Sequence, residues 1–158
     1  MASHVENRLS ELGLTLPPPI DLPADRRPAI AFLRRDGDML YLSGNGPFQG
    51  RRLVYAGKLG NDVSVDQGYD AARLTALNHV RTLVDAGIDL DRVSWIRALG
   101  MVNSAPGFTE QPAVVNGYSE LIVELFGEER GLHARSAVGL AALPWNMAVE
   151  VEATCRLV

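Results

Sequence analysis

The chain has 158 residues and a formal net charge of −4, and 47% of its residues are hydrophobic against 22% charged. This length suits one domain that buries a core without staples, so we predict a single domain over residues 1–158. No segment approaches the run of roughly 20 apolar residues that a membrane span needs, and the acidic balance disfavours a nucleic-acid-binding surface. The first residues resemble neither a secretory leader nor a basic transit peptide, which predicts a cytoplasmic protein.

The cysteine and histidine content limits the chemistry of the chain. Cys155 is the only cysteine, which excludes an intrachain disulfide. His4, His79 and His133 lie too far apart in sequence to suggest a local metal motif, so we expect no metal site. Neither His79 nor His133 has a visible partner for nucleophilic catalysis, and we assign them no role.

Residues 1–28 are predicted to form a helix followed by an extended arm. Apolar residues at helical spacing and a glycine stop predict a short amphipathic helix over Ser3 to Leu12. Thr15 to Pro28 contains five prolines, each of which fixes φ and removes an amide donor. We therefore expect an arm without helix or strand.

The next segment is predicted to begin the sheet. Ala29 to Arg34 and Met39 to Ser43 flank Asp36-Gly37, a dipeptide that tolerates the positive φ of a hairpin turn. Arg52 to Gly57 is consistent with a short edge strand. The sequence therefore predicts a hairpin and a third strand before the first long helix.

Two long helices are expected after these strands. Ser64 and Gln67 form a capping box, and an apolar stripe follows until Gly87. A second apolar stripe begins after Pro112, and Gly127 is predicted to close that helix. Each stripe is wide enough to pack against a sheet.

The remaining segments are predicted to be strands. Val93 to Asn103 forms one strand, and Arg135 to Leu143 and Ala148 to Leu157 form two more, joined by Pro144-Trp145-Asn146. This order of elements predicts an α+β fold in which two long helices lie on one face of a mixed sheet.

The alternation along the last strand separates a buried face from a polar one. Cys155 shares the apolar parity and is expected under the helices, whereas Glu150 and Glu152 point to the other face. Val93 to Asn103 is largely apolar on both parities, so we expect other subunits to cover the second face. Arg135 and Glu150 are expected on adjacent strands, where they line a ligand crevice. Alternatively, Arg135 forms an ion pair with Glu150 or Glu152 across the strands.

The C-terminal motifs resemble the signature of the RidA/YjgF family. They comprise the run from Ala134 to Gly139, the pair Leu143-Pro144 and the run from Val149 to Ala153, and the similarity extends upstream to Leu42-Ser43-Gly44 and Asn116. This resemblance implies a chorismate-mutase-like fold and a homotrimer with clefts between subunits. It also implies hydrolysis of reactive 2-imino or enamine acids to 2-keto acids and ammonia, without a cofactor.

The resemblance also implies roles for individual residues. The family arginine corresponds to Arg135, whose planar fork would hold a substrate carboxylate through two hydrogen bonds. The family acid corresponds to Glu150, fifteen residues later, which would position or deprotonate the attacking water. Ser43, Asn116 and the backbone around Ala137 would complete the substrate site.

Two departures from the family pattern favour an alternative function. Ala29 stands where the family deaminases carry an aromatic hydroxyl, and Ala137 replaces a cysteine found in many members. The alternative is a non-catalytic trimer that binds small carboxylates or acts as a regulator. A third possibility, endoribonuclease activity, is disfavoured because the chain is acidic and has no basic stripe with stacking aromatic residues.

Overall fold

The computed structural model describes residues 3–158, which form one mixed sheet with two long helices on one face. The helices are α1 His4–Glu11, α2 Val65–Asp85 and α3 Gln111–Gly131. The strands are β1 Leu33–Asp36, β2 Met39–Asn45, β3 Phe48–Gln49, β4 Arg52–Leu53, β5 Val93–Asn103, β6 Ala134–Leu140 and β7 Val149–Leu157. The five-stranded sheet has the order β1-β2-β7-β5-β6, and β3 and β4 form a separate pair. The predicted α+β fold, with two long helices on one face of a mixed sheet, is confirmed.

Local sequence signals account for the ends of the helices. Ser64 caps α2 through the predicted capping box with Gln67, in which each side chain accepts a hydrogen bond from the backbone N–H of the other residue. In α3, Gly127 has a φ of 75°, so the regular helix breaks at the predicted position and one further turn reaches Gly131. Arg73, which interrupts the apolar stripe of α2, forms an ion pair with Glu124 of α3 at 3.2 Å.

The first hairpin lies further along the chain than predicted. Asp36 pairs with Met39, so the two-residue turn is Gly37-Asp38 instead of Asp36-Gly37. The strand consequently begins at Leu33, and residues 29–32 continue the arm. Gly37 has a φ of 57°, a conformation that favours glycine.

Two other strands are shorter than expected. The segment predicted as an edge strand forms only Arg52–Leu53, which pairs with Phe48–Gln49 outside the main sheet. The strand predicted from Arg135 to Leu143 ends at Leu140, because Leu143 begins a short turn of 3-10 helix over Pro144–Asn146.

A β-bulge overturns the simple alternation expected in β5. The pairing of β5 with β7 shifts between Trp95 and Arg97, and the extra residue reverses which side chains face the helices. Trp95 and Ala98 are consequently both buried, whereas Ile96 is 40% exposed.

The sheet face opposite α2 and α3, here called the open face, carries apolar side chains. Cys155 is buried on the helix face, as predicted, and burial raises its pKa. On the open face, Tyr41, Val138 and Leu140 remain partly exposed in the single chain. Separately, none of the helices within residues 3–158 combines the length and the hydropathy needed to cross a membrane.

Candidate functional site

Arg135 lies on the edge strand β6 and points toward α3. Its Nη1 donates to Asn116 Oδ1 at 2.9 Å and to Ser119 Oγ at 3.1 Å, and its Nη2 lies 3.5 Å from the Pro112 carbonyl oxygen. All three acceptors are neutral. Within residues 3–158, Arg135 forms no ion pair with a carboxylate, so the expected alternative of pairing with Glu150 or Glu152 is wrong.

Because its hydrogen-bond acceptors are neutral, Arg135 keeps a charge that is available to an anion. Burial lowers the pKa of the guanidinium, and the negative charge of nearby Glu120 partly opposes this shift. Glu120 itself accepts a hydrogen bond from the Tyr69 hydroxyl at 2.6 Å. Because an arginine side chain stays protonated in proteins, this half-buried cation is suited to binding a carboxylate.

Ser119 and His133 support the guanidinium, although the sequence assigned them no role. His133 Nδ1 lies 2.7 Å from the Gly131 carbonyl oxygen and must donate to it, so in the neutral ring Nε2 is the acceptor. Ser119 Oγ lies 3.1 Å from Nε2 and therefore donates to it while accepting from Arg135. Burial is the main cause that lowers the pKa of His133, and the charge of Arg135 adds to it.

Glu150 lies on β7 with its carboxyl group packed against the backbone of β2. A Cβ atom added to Gly44 would lie only 2.1 Å from Glu150 Oε1, so only glycine at position 44 leaves room for the carboxyl group in this position. Burial raises the pKa of Glu150, and the charge of Glu152 raises it further. This carboxyl group therefore takes up a proton more readily than an exposed glutamate.

The two principal candidates do not meet within one chain. β6 pairs with β5 and not with β7, so the expectation that Arg135 and Glu150 lie on adjacent strands is wrong. They also face opposite sides: Arg135 contacts α3, whereas Glu150 alternates with Val149 and Val151, which are buried under the helices. The sequence did contain a signal for the correct pairing. A helix, α3, lies between β5 and β6 in the chain, and such a crossover commonly joins two neighbouring parallel strands.

The other predicted substrate residues divide between these two regions. Asn116 contacts Arg135 directly, and Ala137 lies two residues farther along β6 on the same face, partly buried. Ser43 is close in sequence to Gly44, but its hydroxyl donates to the Ala31 carbonyl oxygen at 2.7 Å. Its own carbonyl oxygen accepts from His79 Nε2 at 3.1 Å, so Ser43 ties the arm to the sheet and to α2.

His79, expected to have no role, is a buried core histidine. It is fully enclosed, and its Nδ1 accepts a hydrogen bond from the Tyr118 hydroxyl at 2.7 Å. Burial lowers the pKa of His79 to about 4, against the weaker opposing effect of its bond to Ser43. The neutral ring therefore links α2, α3 and β2.

Comparisons with known proteins agree with this architecture. The family model described as "YjgF/chorismate_mutase-like, putative endoribonuclease" matches residues 6–155. Protein TCP17 of Trypanosoma cruzi is 45% identical over 159 residues, covering 99% of this chain and 96% of that protein. The crystal structure of Atu1372, a protein of unknown function from Agrobacterium tumefaciens, superposes with a TM-score of 0.84 at 36% identity, covering 98% and 92% of the two chains.

A more distant structure shares the fold alone. Escherichia coli TdcF with bound serine has a TM-score of 0.58 at 22% identity, covering 91% of this chain and 96% of that one. The mixed sheet and the two long helices on one of its faces define a chorismate-mutase-like α+β protein. The chain belongs to the YjgF/RidA family.

Proposed function

We propose that the protein hydrolyses small reactive 2-imino or enamine acids to 2-keto acids and ammonia. One observation carries the proposal: the half-buried guanidinium of Arg135 is hydrogen-bonded only to neutral groups of the described chain. A cation with free N–H donors binds a carboxylate through charge-assisted hydrogen bonds. The family of the chain and the raised pKa of Glu150 support the same reaction.

The proposed site takes Arg135 from one subunit and Glu150 from another. One sheet cannot present both side chains to one small ligand, because they project from opposite faces. Arg135 lies on an edge strand, where a neighbouring chain can approach, and the partly exposed apolar residues of the open face favour contact between copies. We propose the homotrimer implied by the family, with the sites in clefts between subunits.

The chemistry then follows from two groups. Arg135 holds the carboxylate of the imino acid, and Glu150 accepts a proton from the water that attacks the imine carbon. Glu150 returns this proton to the nitrogen, which gives the carbinolamine. It then takes the proton of the carbinolamine hydroxyl and passes it to the nitrogen, so that ammonia leaves as the carbonyl of the 2-keto acid forms. A raised pKa suits Glu150 to these transfers, because its carboxylate is a stronger base than that of an exposed glutamate.

A non-catalytic trimer that binds small carboxylates is the second candidate. Ala29 favours it, because this exposed residue of the arm offers no hydroxyl where the family deaminases are expected to have one. Such a protein would use Arg135 in the same way but would bind keto or imino acids without turnover.

The test is an imine hydrolysis assay with matched arginine variants. An amino-acid oxidase releases the imine in situ, and keto-acid formation is compared with and without the protein. We expect Arg135→Ala to reduce kcat/KM by about 10- to 150-fold, the cost of lost hydrogen bonds to a charged group, and Arg34→Ala, at an exposed position on β1, to leave it unchanged. Equal activity of the wild type and Arg135→Ala would refute the mechanism, and ligand binding without turnover would favour the second candidate.

A further inference from the structure

A cavity of about 190 Å³ adjoins Glu150 and is lined almost entirely by apolar side chains. We call it the Glu150 cavity. Its inner wall consists of Phe48 and Met147, which are 5% and 3% exposed, together with the backbone of Gly44 and Gly46. Besides Glu150, the polar groups of the lining side chains are the Asn45 amide and the indole N–H of Trp145. A ligand held beside this carboxyl group would therefore place its remaining atoms against hydrocarbon.

The Pro-rich arm supplies the outer wall of the cavity. Ile20, Leu22, Pro28 and Ile30 all line it, although they precede the first strand. The arm is anchored at two places: Asp21 binds Arg27 and Arg51 at 2.9 and 2.7 Å, and the Ser43 hydroxyl binds the Ala31 carbonyl oxygen. The arm therefore has a defined position against the sheet, and its composition sets the polarity of the cavity.

The turn before β7 contributes an aromatic wall in an unusual conformation. Trp145 and Asn146 have φ values of 53° and 60°, in the left-handed region that non-glycine residues seldom adopt. Asn103 holds the turn by donating to Asn146 Oδ1 at 2.9 Å, and Trp145 meets Phe48 edge to face at 6.2 Å between ring centroids. Strain of this kind persists where the surrounding structure enforces it, and it clusters at ligand sites.

From these walls we infer that the Glu150 cavity receives the side chain of the substrate, and that this side chain is apolar and larger than methyl. The inference rests on the proposed function, because it takes Glu150 as the group beside the reacting carbon. The imines of leucine-like or aromatic amino acids would fill the cavity, whereas the imine of alanine would leave most of it empty. The arm thus becomes the element that determines specificity.

The test compares a small and a large substrate in one assay. Imines generated from alanine and from leucine differ by three carbons, and each methylene removed from water contributes about a fourfold gain in affinity. We expect kcat/KM to be at least about 10-fold higher for the imine from leucine. A preference for the imine from alanine would overturn the inference and leave the proposed function intact.

A variant of the arm then locates the preference. Ile30 is 55% exposed, so Ile30→Ser should fold and should reduce the preference for the larger imine several-fold. Val158→Ser is the matched control, since Val158 is 53% exposed and follows the last residue of β7, at the end of the strand away from Glu150. If Ile30→Ser and Val158→Ser behave alike, the Glu150 cavity is not the subsite and the inference fails.

A binding measurement separates the two hypotheses if no imine is hydrolysed. Titration calorimetry with pyruvate and with 4-methyl-2-oxopentanoate compares the corresponding keto acids without turnover. We expect the larger acid to bind at least about 10-fold more tightly, and this difference to be smaller in Ile30→Ser. That result would support the Glu150 cavity as the side-chain subsite even if the deaminase proposal had failed. Equal affinities would overturn the inference whatever the activity.

Discussion

Substitution of Gly44 by alanine should displace the carboxyl group of Glu150 while leaving the fold intact. The added Cβ would lie 2.1 Å from Oε1, and contacts shorter than 3.0 Å are essentially never seen, so the oxygen must move by at least about 0.9 Å. The atom that must move is the end of a flexible side chain. Gly44 has no left-handed φ, so the backbone accepts alanine.

The expected effect on stability is close to zero. A displaced side chain costs about 0.5–1.5 kcal/mol when it leaves its preferred rotamer. Replacing glycine by alanine restricts the unfolded chain and offsets this by about 0.4–1 kcal/mol. We therefore expect the midpoint of thermal unfolding to change little. Activity should respond strongly, because a displacement of about 1 Å in a catalytic group can cost about 100-fold in rate.

The assay measures kcat/KM for imine hydrolysis and the melting temperature of the same preparations. Gly44→Ala should lower kcat/KM by about 10- to 100-fold with its melting temperature retained. In a Glu150→Gln background Gly44→Ala should lower kcat/KM little further, because the effects of two substitutions that act through the same group do not add. Full activity of Gly44→Ala, or independent effects of the two substitutions, would refute the reasoning.

Three further predictions concern packing and pH. Gly117→Ala should lower the free energy of unfolding by about 1–3 kcal/mol or more in chemical denaturation, because the added Cβ would lie 2.1 Å from the Tyr69 carbonyl oxygen of the facing helix. Unchanged stability would show that α2 and α3 separate readily. The unfolded chain binds a proton to His79 below pH 6.5 and the folded chain only near pH 4, so this residue should cost about 3 kcal/mol of stability as pH falls across that window. His79→Gln should flatten that part of the curve, and an unchanged slope would contradict it. The pKa of Glu150 is raised above 4.5, so the loss of kcat/KM on acidification should also occur above pH 4.5. The folded chain holds the Glu150 proton more tightly than the unfolded chain, so the free energy of unfolding should fall as pH rises through the folded-state pKa. In Glu150→Gln this fall in stability should disappear.

Sequence signals that act over a few residues predicted the helices and the C-terminal strand correctly. The capping box of Ser64 and Gln67 and the break at Gly127 depend on local hydrogen bonds and local φ values. The regular alternation of β7 was enough to predict that Cys155 is buried and that Glu150 faces the other way. The C-terminal motifs by themselves likewise indicated the family.

Distant pairings decided the composition of the candidate site. A single extra residue near Ile96 reverses the faces of β5, and nothing in the pattern of apolar residues reveals it. The contacts of Arg135 with Asn116 and Ser119 arise because α3 crosses back over β6. The arm reaches the Glu150 cavity through tertiary contacts, since prolines fix its local conformation but not its course. Composition and periodicity therefore determined the elements of this protein, whereas strand order and chain crossing decided which side chains share a site.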